Sequence, residues 1–383
     1  MNTRRCLILG GALMISLWGY GQRQSAKTFE MKGNPVITDK FTADPAPLIH
    51  DGTLYLYVGH DEARDGEMFN ITEWLCYSTK DMKTWTDHGT VLKPTDFSWA
   101  VGEAWASQVV EKDGKFYYYT TAQAGDPYPG KAIGVAVGDT PTGPFKDAIG
   151  KPLITDAMTP NGKRGWWNDI DPTVFIDDEG TPWLSWGNGT CFLVKLKPNM
   201  TELEGEIQVL DLPHYVEGPW LHKRGDLYYL TYASMGKGRE MMHYATAESI
   251  GGTWTYRGAL TGMAENSFTI HPGIVEFKGQ WYSFYHNSAL SGHDWLRSIC
   301  VDKLYYNASL VIGNQAGATG RRSVCVDYLY YMPDGSMAYV EQTEDGVTQP
   351  PKTADEVSLM VNPYPEEPKE VKKYAVNADG AVK

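Results

Sequence analysis

Cysteine is scarce in this chain, with five in 383 residues. Cys76, Cys191, Cys300 and Cys325 are scattered and show no CxxC spacing, which excludes a disulfide framework and a cysteine-based zinc module. They read as buried strand residues. Basic residues are outnumbered, 34 Lys and Arg against 47 Asp and Glu, for a net charge of −13. An acidic chain of this kind is a poor partner for nucleic acid or anionic membrane surfaces. Sustained helical periodicity is rare. The apolar run from Cys6 to Trp18 is short for a membrane span. It follows Arg4 and Arg5 and precedes Gly19-Tyr20-Gly21, so residues 1–21 read as a secretory signal. Cys6 stands before most of that run and does not read as a lipid-attachment site. The expectation is an exported protein, periplasmic or extracellular, whose mature chain carries a net charge of −15 and inserts no segment into a membrane.

What is abundant is material for short strands and tight turns: 24 Tyr, 13 Trp and 40 Gly. The clearest unit is YVEGPWLHKRGDLYYLTYAS, Tyr215 to Ser234, two extended runs around a Gly-bearing loop, which reads as a β-hairpin. Aligned on the turn glycine, the plan occurs five times. The copies are DPAPLIHDG (Asp44 to Gly52), ASQVVEKDG (Ala106 to Gly114), DPTVFIDDEG (Asp171 to Gly180), EGPWLHKRG (Glu217 to Gly225) and HPGIVEFKG (His271 to Gly279). Successive glycines lie 62, 66, 45 and 54 residues apart, and an aromatic-rich return strand follows each one. Such a period, with several short strands per repeat, predicts an all-β, five-bladed β-propeller formed as one domain by residues 30–345. Residues 346–383, rich in Pro, Glu and Lys, read as a short strand-poor C-terminal tail. An all-β protein with five similar hairpins is the plainer alternative.

The first column of the repeat reads Asp44, Ala106, Asp171, Glu217, His271. Innermost strands of a propeller line a central channel, so these positions should converge. Four of the five are ionisable, and like charges held together destabilise a fold. Asp before Pro is a common turn starter, but three carboxylates in register point to chemistry. Flanking aromatics, Trp105, Trp166 and Trp167, together with Phe97 and Trp99, are candidates to stack on the C–H faces of a ligand or to plug the channel. Trp85 and Trp254 read as core between blades. The runs Thr72 to Leu92 and Met241 to Leu260 read as outer blade halves. RSICVDKLYY at Arg297 to Tyr306 is echoed by RSVCVDYLYY at Arg322 to Tyr331, a local duplication.

Taken in order, Ala-Asp-Pro at 43–45, NDIDPTVF around Asp171, EGPW at 217–220, HPG at 271–273, His286-Asn287 and RSVCVDYLYYMPDG at 322–335 resemble glycoside hydrolase family 43. The resemblance covers residues 34 to 345. It implies a five-bladed propeller that hydrolyses glycosides with inversion at the anomeric carbon. By motif, Asp44 is the general base, Glu217 the general acid, and Asp171 the residue that tunes and orients the acid. His271 matches the channel histidine, which meets bound water or, through water, a calcium ion. No cofactor is required, and calcium in the central channel is optional. Trp105, Trp167, His271 and Arg297 are the expected substrate contacts, Arg297 being preferred to its echo Arg322. EAWASQV at 103–109 departs from the family's pattern.

The residue types suit the reaction independently. Inverting hydrolysis needs a protonated carboxyl at the leaving oxygen and an ionised one holding water on the opposite face. A third carboxylate nearby raises the acid's pKa. The implied substrates are carbohydrates of the plant cell wall, polysaccharides or oligosaccharides such as xylan and arabinan, from which an exo-acting enzyme releases α-L-arabinofuranosyl or β-D-xylosyl residues. Three alternatives remain at this level. They are an endo-acting arabinan hydrolase, a non-catalytic glycan-binding propeller, and a retaining fructan-type hydrolase, the last disfavoured by Ala43 where Asn would stand. Gly59 to Phe69 and Ala124 to Gly130 are expected pocket walls.

Overall fold

The computed structural model describes residues 26–63, 69–160, 162–264, 266–291 and 321–376. Five antiparallel units follow one another along the chain. Unit I comprises β2 (Thr42–His50), β3 (Thr53–Asp61), β4 (Ile71–Thr79) and β5 (Thr84–Leu92), with β1 (Lys27–Glu30) on its outer edge. Unit II comprises β6 (Ala100–Lys112), β7 (Lys115–Ala124), β8 (Lys131–Gly138) and β9 (Lys146–Asp147). Unit III holds β10 (Thr173–Ile176), β11 (Pro182–Trp186), β12 (Cys191–Leu196) and β13 (Leu203–Asp211). Unit IV holds β14 (Tyr215–Arg224), β15 (Leu227–Met235), β16 (Glu240–Ala247) and β17 (Trp254–Met263). Unit V shows β18 (Gly273–Phe277), β19 (Gln280–Asn287) and β20 (Ser323–Leu329).

All five repeat hairpins are present, with the first strand of each unit innermost. These strands touch in cyclic order, β2 to β6 to β10 to β14 to β18 and back to β2. A closed ring of blades leaves only short edges exposed. Closure joins the two ends of the ring: Val36 N–H donates to Val324 O at 2.8 Å and Thr42 N–H to Arg322 O at 2.7 Å. Among the described residues no helix is long and apolar enough to cross a membrane.

Large side chains from facing blades fill the wedges. Trp85 meets Phe284 edge-on at 6.4 Å between units I and V, and Tyr57 meets Tyr118 at 5.4 Å between I and II. Trp186 packs with Tyr119 and Ile133, and Trp254 with Trp183 and Leu193. Trp85 and Trp254 are fully buried, as core residues should be. Burying such a ring stabilises by about 2–3 kcal/mol. Phe97 and Trp99 also pack into this core, 5.2 Å apart and nearly inaccessible, so they are not ligand platforms. Their loop folds inward because both rings find apolar walls there. Cys76, Cys191 and Cys325 are buried on strands.

One detail differs from the sequence reading. The tail is not strand-poor: β21 (Lys369–Ala375) pairs with β13 on one side and β17 on the other, bridging units III and IV. Val371 is buried among Leu210, Trp254 and Tyr256 and, in a Lys- and Glu-rich run, supplies the anchor, with Tyr374 packing against the neighbouring cluster. A short helix, α1 (Ala354–Ser358), precedes it, with Thr353 and Glu356 closing a capping box. Of the duplicated RSxCVD segment, the second copy forms β20, the outermost described strand of unit V. The first copy, with Arg297 and Cys300, lies outside the described residues, as does the expected signal of residues 1–21.

Candidate active site

The site is built where the inner strands begin, with bulges in units I and IV. Asp44 and Asp171 each precede a proline and hold φ of +56° and +61°, a region that ordinary side chains occupy only when the surroundings impose it. In unit I the pairing of β2 with β3 skips from Ala43 to Ala46, so Asp44 is lifted out of the ladder and turned into the channel. In unit IV the left-handed position before proline belongs to Gly218, φ +58°, and not to Glu217. A Cβ on Gly218 would stand 2.9 Å from the His271 ring, so the glycine makes room for the imidazole. Glu217 therefore reaches the channel from one residue earlier than Asp44 and Asp171. The turn-glycine alignment hid this offset because Gly225 is the first of the two loop residues in unit IV, whereas Gly52 is the second in unit I.

His271 joins the carboxylates. Its Nδ1 lies 3.0 Å from Asp44 Oδ1, and its Nε2 lies 3.2 Å from Glu217 Oε1 and 3.8 Å from Asp171 Oδ2. Burial disfavours charge on the ring, but Asp44 and Asp171, with hydrogen bonds to Asp44 and Glu217, raise its pKa well above the usual histidine value. His271 is thus an imidazolium with both N–H groups donating. The ring and its two hydrogen bonds keep the Asp44 and Glu217 carboxylates no more than roughly 8.5 Å apart, below the upper limit of the separation used for inversion.

Asp44 lies deeper in cationic surroundings. Arg322 Nη1 is 3.1 Å from its Oδ1, while the same guanidinium forks onto Asp61 with Nε to Oδ2 at 2.9 Å and Nη2 to Oδ1 at 3.0 Å. The Phe69 ring covers that guanidinium at 4.4 Å. His286 accepts the Asp44 backbone N–H on Nδ1 at 3.1 Å, and its Nε2 meets Thr269 Oγ1 at 2.9 Å. Burial drives the His286 pKa well down, aided by Arg322, so this ring is neutral. For Asp44, burial pushes upward, yet Arg322 and His271 outweigh it and hold the carboxyl well below its usual range.

Asp171 is placed differently. Its Oδ2 accepts the Gly218 N–H at 3.0 Å, and its own N–H donates to Thr121 Oγ1 at 3.1 Å. Burial, with Glu217 and Asp44 adding to it and His271 opposing, pushes its pKa up to about 8. Asn188 Nδ2 donates to Glu217 Oε2 at 3.0 Å. Beneath the carboxylates the channel closes to a cavity of about 20 Å³, lined by Asp44, Ala106, Asp171, Gly218 and His271, room for about one water.

At the rim, Trp105 and Trp167 meet edge-on at 5.2 Å, and the Lys131 ammonium lies 4.3 Å over Trp167 and 5.2 Å over Trp105. Lys131 is also paired with Glu103 and bonded to Gln123. Trp166 and Trp167 are exposed, at 67% and 42%. Of the expected site residues, Asp44, Asp171, Glu217 and His271 converge, and Trp105 and Trp167 form one aromatic pair. Arg297 lies outside the described residues, whereas its echo Arg322 is the arginine set against Asp44. Sequence reading missed Asp61, Thr269, Asn188 and Lys131. Asp61, the final residue of a return strand, carried no motif.

Direct calcium ligation by this set fits poorly. Oxygen ligands of Asp171 and Glu217 lie within 4.8 Å of a His271 nitrogen, but calcium prefers an all-oxygen shell. Both ring nitrogens are also committed as donors.

The profile of Glycosyl hydrolases family 43 matches residues 32–310. An arabinoxylan arabinofuranohydrolase of Bacillus subtilis is 31% identical over 352 residues, 75% of this chain, and the match spans 65% of that longer relative. A xylosidase/arabinosidase of Bacteroides ovatus is 31% identical over 71% of this chain and 94% of its own length. Among solved structures, a family 43 β-xylosidase/α-arabinofuranosidase from a compost microbial metagenome, complexed with xylotriose in a calcium-free form, superposes with a TM-score of 0.66. It is 26% identical and covers 82% of this chain and 98% of that one. An α-L-arabinofuranosidase of Clostridium thermocellum gives a TM-score of 0.61 at 31% identity, with the same two coverages. With its ring of blades and its converging carboxylates, the chain belongs to glycosyl hydrolases family 43.

Proposed function

We propose that the protein is an exo-acting, inverting glycosidase that releases α-L-arabinofuranosyl or β-D-xylosyl units from plant cell-wall polysaccharides or oligosaccharides. The observation that carries this reading is the meeting of Asp44, Asp171 and Glu217, from three different blades, around the single His271 imidazole. The names of the arabinofuranohydrolase and xylosidase relatives support the pentose class.

In the reaction, Asp44 is the base. Arg322 and His271 keep it ionised, so it takes a proton from water as the water oxygen bonds to the anomeric carbon. The glycosidic C–O bond breaks on the opposite face, and Glu217 gives its proton to the leaving oxygen. Asp44 ends protonated and Glu217 ionised, and exchange with solvent restores both. Asp171 orients the acid by fixing the Gly218 N–H next to it. Trp105 and Trp167 offer ring faces to the glycan. Calcium in the channel would be held beside His271 through water, and no step depends on it. The acidic chain with its basic-then-apolar start is exported, to the periplasm or beyond the cell, and acts on carbohydrate and not on nucleic acid.

The test is release of pentose from aryl α-L-arabinofuranoside and aryl β-D-xyloside by wild type, Asp44→Ala and Glu217→Ala. Release by wild type, lost in Asp44→Ala, supports the assignment and chooses the pentose. Silence on both, with cleavage of internal arabinan bonds, would make the enzyme endo-acting. Glycan binding without any cleavage would defeat the reading.

A further inference from the structure

A fourth carboxyl stands beside the three motif acids. Glu240 opens β16 and is 1% exposed, and no cationic side chain pairs with it among the described residues. Its electrostatic neighbours are Glu217, His271 and Asp171, so it lies on the acid side of the channel. A buried, unpaired carboxyl is costly unless it is neutral and hydrogen-bonded, and burial, reinforced by Glu217, does push its pKa well up.

The hydrogen bonds of Glu240 all go to one segment. Its N–H donates to Phe268 O at 2.9 Å, its C=O accepts from Ala264 N at 2.8 Å, and its Oε2 accepts from Ile270 N at 3.1 Å. The segment it ties down ends in Thr269 and His271. Thr269 supports His286 and receives Arg322 Nη1 at 3.4 Å, and His271 holds the other three carboxylates. The side-chain bond is made one residue before His271, where a small shift of backbone moves the imidazole directly.

We propose that Glu240 is a positioning residue for the glycosidase reaction: its carboxyl fixes the backbone at Ile270 and, through it, the His271 imidazole that joins Asp44, Asp171 and Glu217. The inference rests on the functional reading given above. It assigns Glu240 no contact with substrate and no proton transfer. An acceptor oxygen is what the position needs, and a neutral amide supplies one.

The test compares Glu240→Ala and Glu240→Gln with wild type on the aryl pentoside that wild type cleaves. A displaced near-attack geometry costs about 100-fold in kcat, and Glu240→Ala is expected to lose that much with KM changed less than about threefold. Gln is expected to restore kcat to within about threefold of wild type. The pH profile separates positioning from simple loss of fold. Asp44 is faced by Arg322, His271 and His286, with Asp61 behind Arg322. Losing the His271 contact raises the Asp44 pKa, so the acid limb of kcat/KM moves up by roughly one pH unit in Glu240→Ala. An inactive Glu240→Gln would overturn the proposal, because the carboxyl itself would then be doing chemistry. So would an Ala variant whose activity falls only with its folded fraction, its acid limb unmoved. A second arm follows the His271 ring by nitrogen NMR, free of turnover. The proposal expects the imidazolium signal to shift in Glu240→Ala and to return in Glu240→Gln, and an unmoved signal contradicts it. Wild type inactive on every pentoside would sink the glycosidase reading alone, leaving the NMR arm to decide on Glu240.

Discussion

The two sides of the channel are equally dry and electrostatically opposite. On the side of units I and V, Asp44 faces Arg322 and the His271 imidazolium, and its carboxyl is held well below the ordinary range. On the side of units III and IV, Asp171 and Glu240 sit near Glu217 and share only His271 as a cation, and burial drives both upward. Burial alone would neutralise every one of these acids. What separates them is where Arg322 ends: its guanidinium is hydrogen-bonded to Asp44 and Asp61 of unit I and reaches Glu217 of unit IV only through space. In the proposed mechanism the base, Asp44, stands on the side whose cations keep it ionised.

The largest way to break this comparison is to remove the base. Asp44→Asn is expected to lower kcat by about 10³-fold or more, measured as pentose release. If it stays active, the cationic side does not hold the base. Next is the cation itself. Arg322→Met leaves Asp61 buried without its fork, and about 3–5 kcal/mol of folding stability should disappear in urea titration.

Asp171 gives a smaller effect of opposite sign. Its folded pKa of about 8 is raised above the unfolded value, so the folded state holds an extra proton between roughly pH 4 and 8 and stability falls as pH rises through that window. Asp171→Asn keeps an acceptor for the Gly218 N–H and removes the titration. It should lose activity yet gain roughly 1–2 kcal/mol of stability at pH 8 over wild type, with the gain shrinking toward pH 4. Asp44 runs the other way: its depressed pKa supplies stability above the ordinary carboxylate range and loses it as pH falls below roughly 4. Smallest is the rim. Trp167→Ala should raise KM for polymeric substrate about 3- to 10-fold, about 1 kcal/mol, while leaving a small aryl pentoside little affected.

Much of the arrangement was legible because it is local. Each hairpin announces itself by a turn glycine and an aromatic return strand, and the Asp-Pro pairs mark the left-handed positions of Asp44 and Asp171. The offset at unit IV was not legible, since only φ at Gly218 shows that the glycine and not Glu217 takes the left-handed place. Neither was the choice of arginine: both copies of the motif begin with Arg-Ser, and contact with Asp44 is made 278 residues away. Glu240 carries no motif, and its meaning lies in a loop that folds back from 24 to 30 residues later. Phe97 and Trp99 misled because an aromatic near a site and an aromatic under it have the same letters.

The central claim is that Asp44 activates water while Glu217 protonates the leaving group from the other side. The most direct measurement is proton NMR of the first sugar released by wild type, read before mutarotation. The account predicts the inverted anomer, β-arabinofuranose from an α-arabinofuranoside or α-xylose from a β-xyloside. A retained anomer would contradict it, since Asp44 would then attack carbon itself.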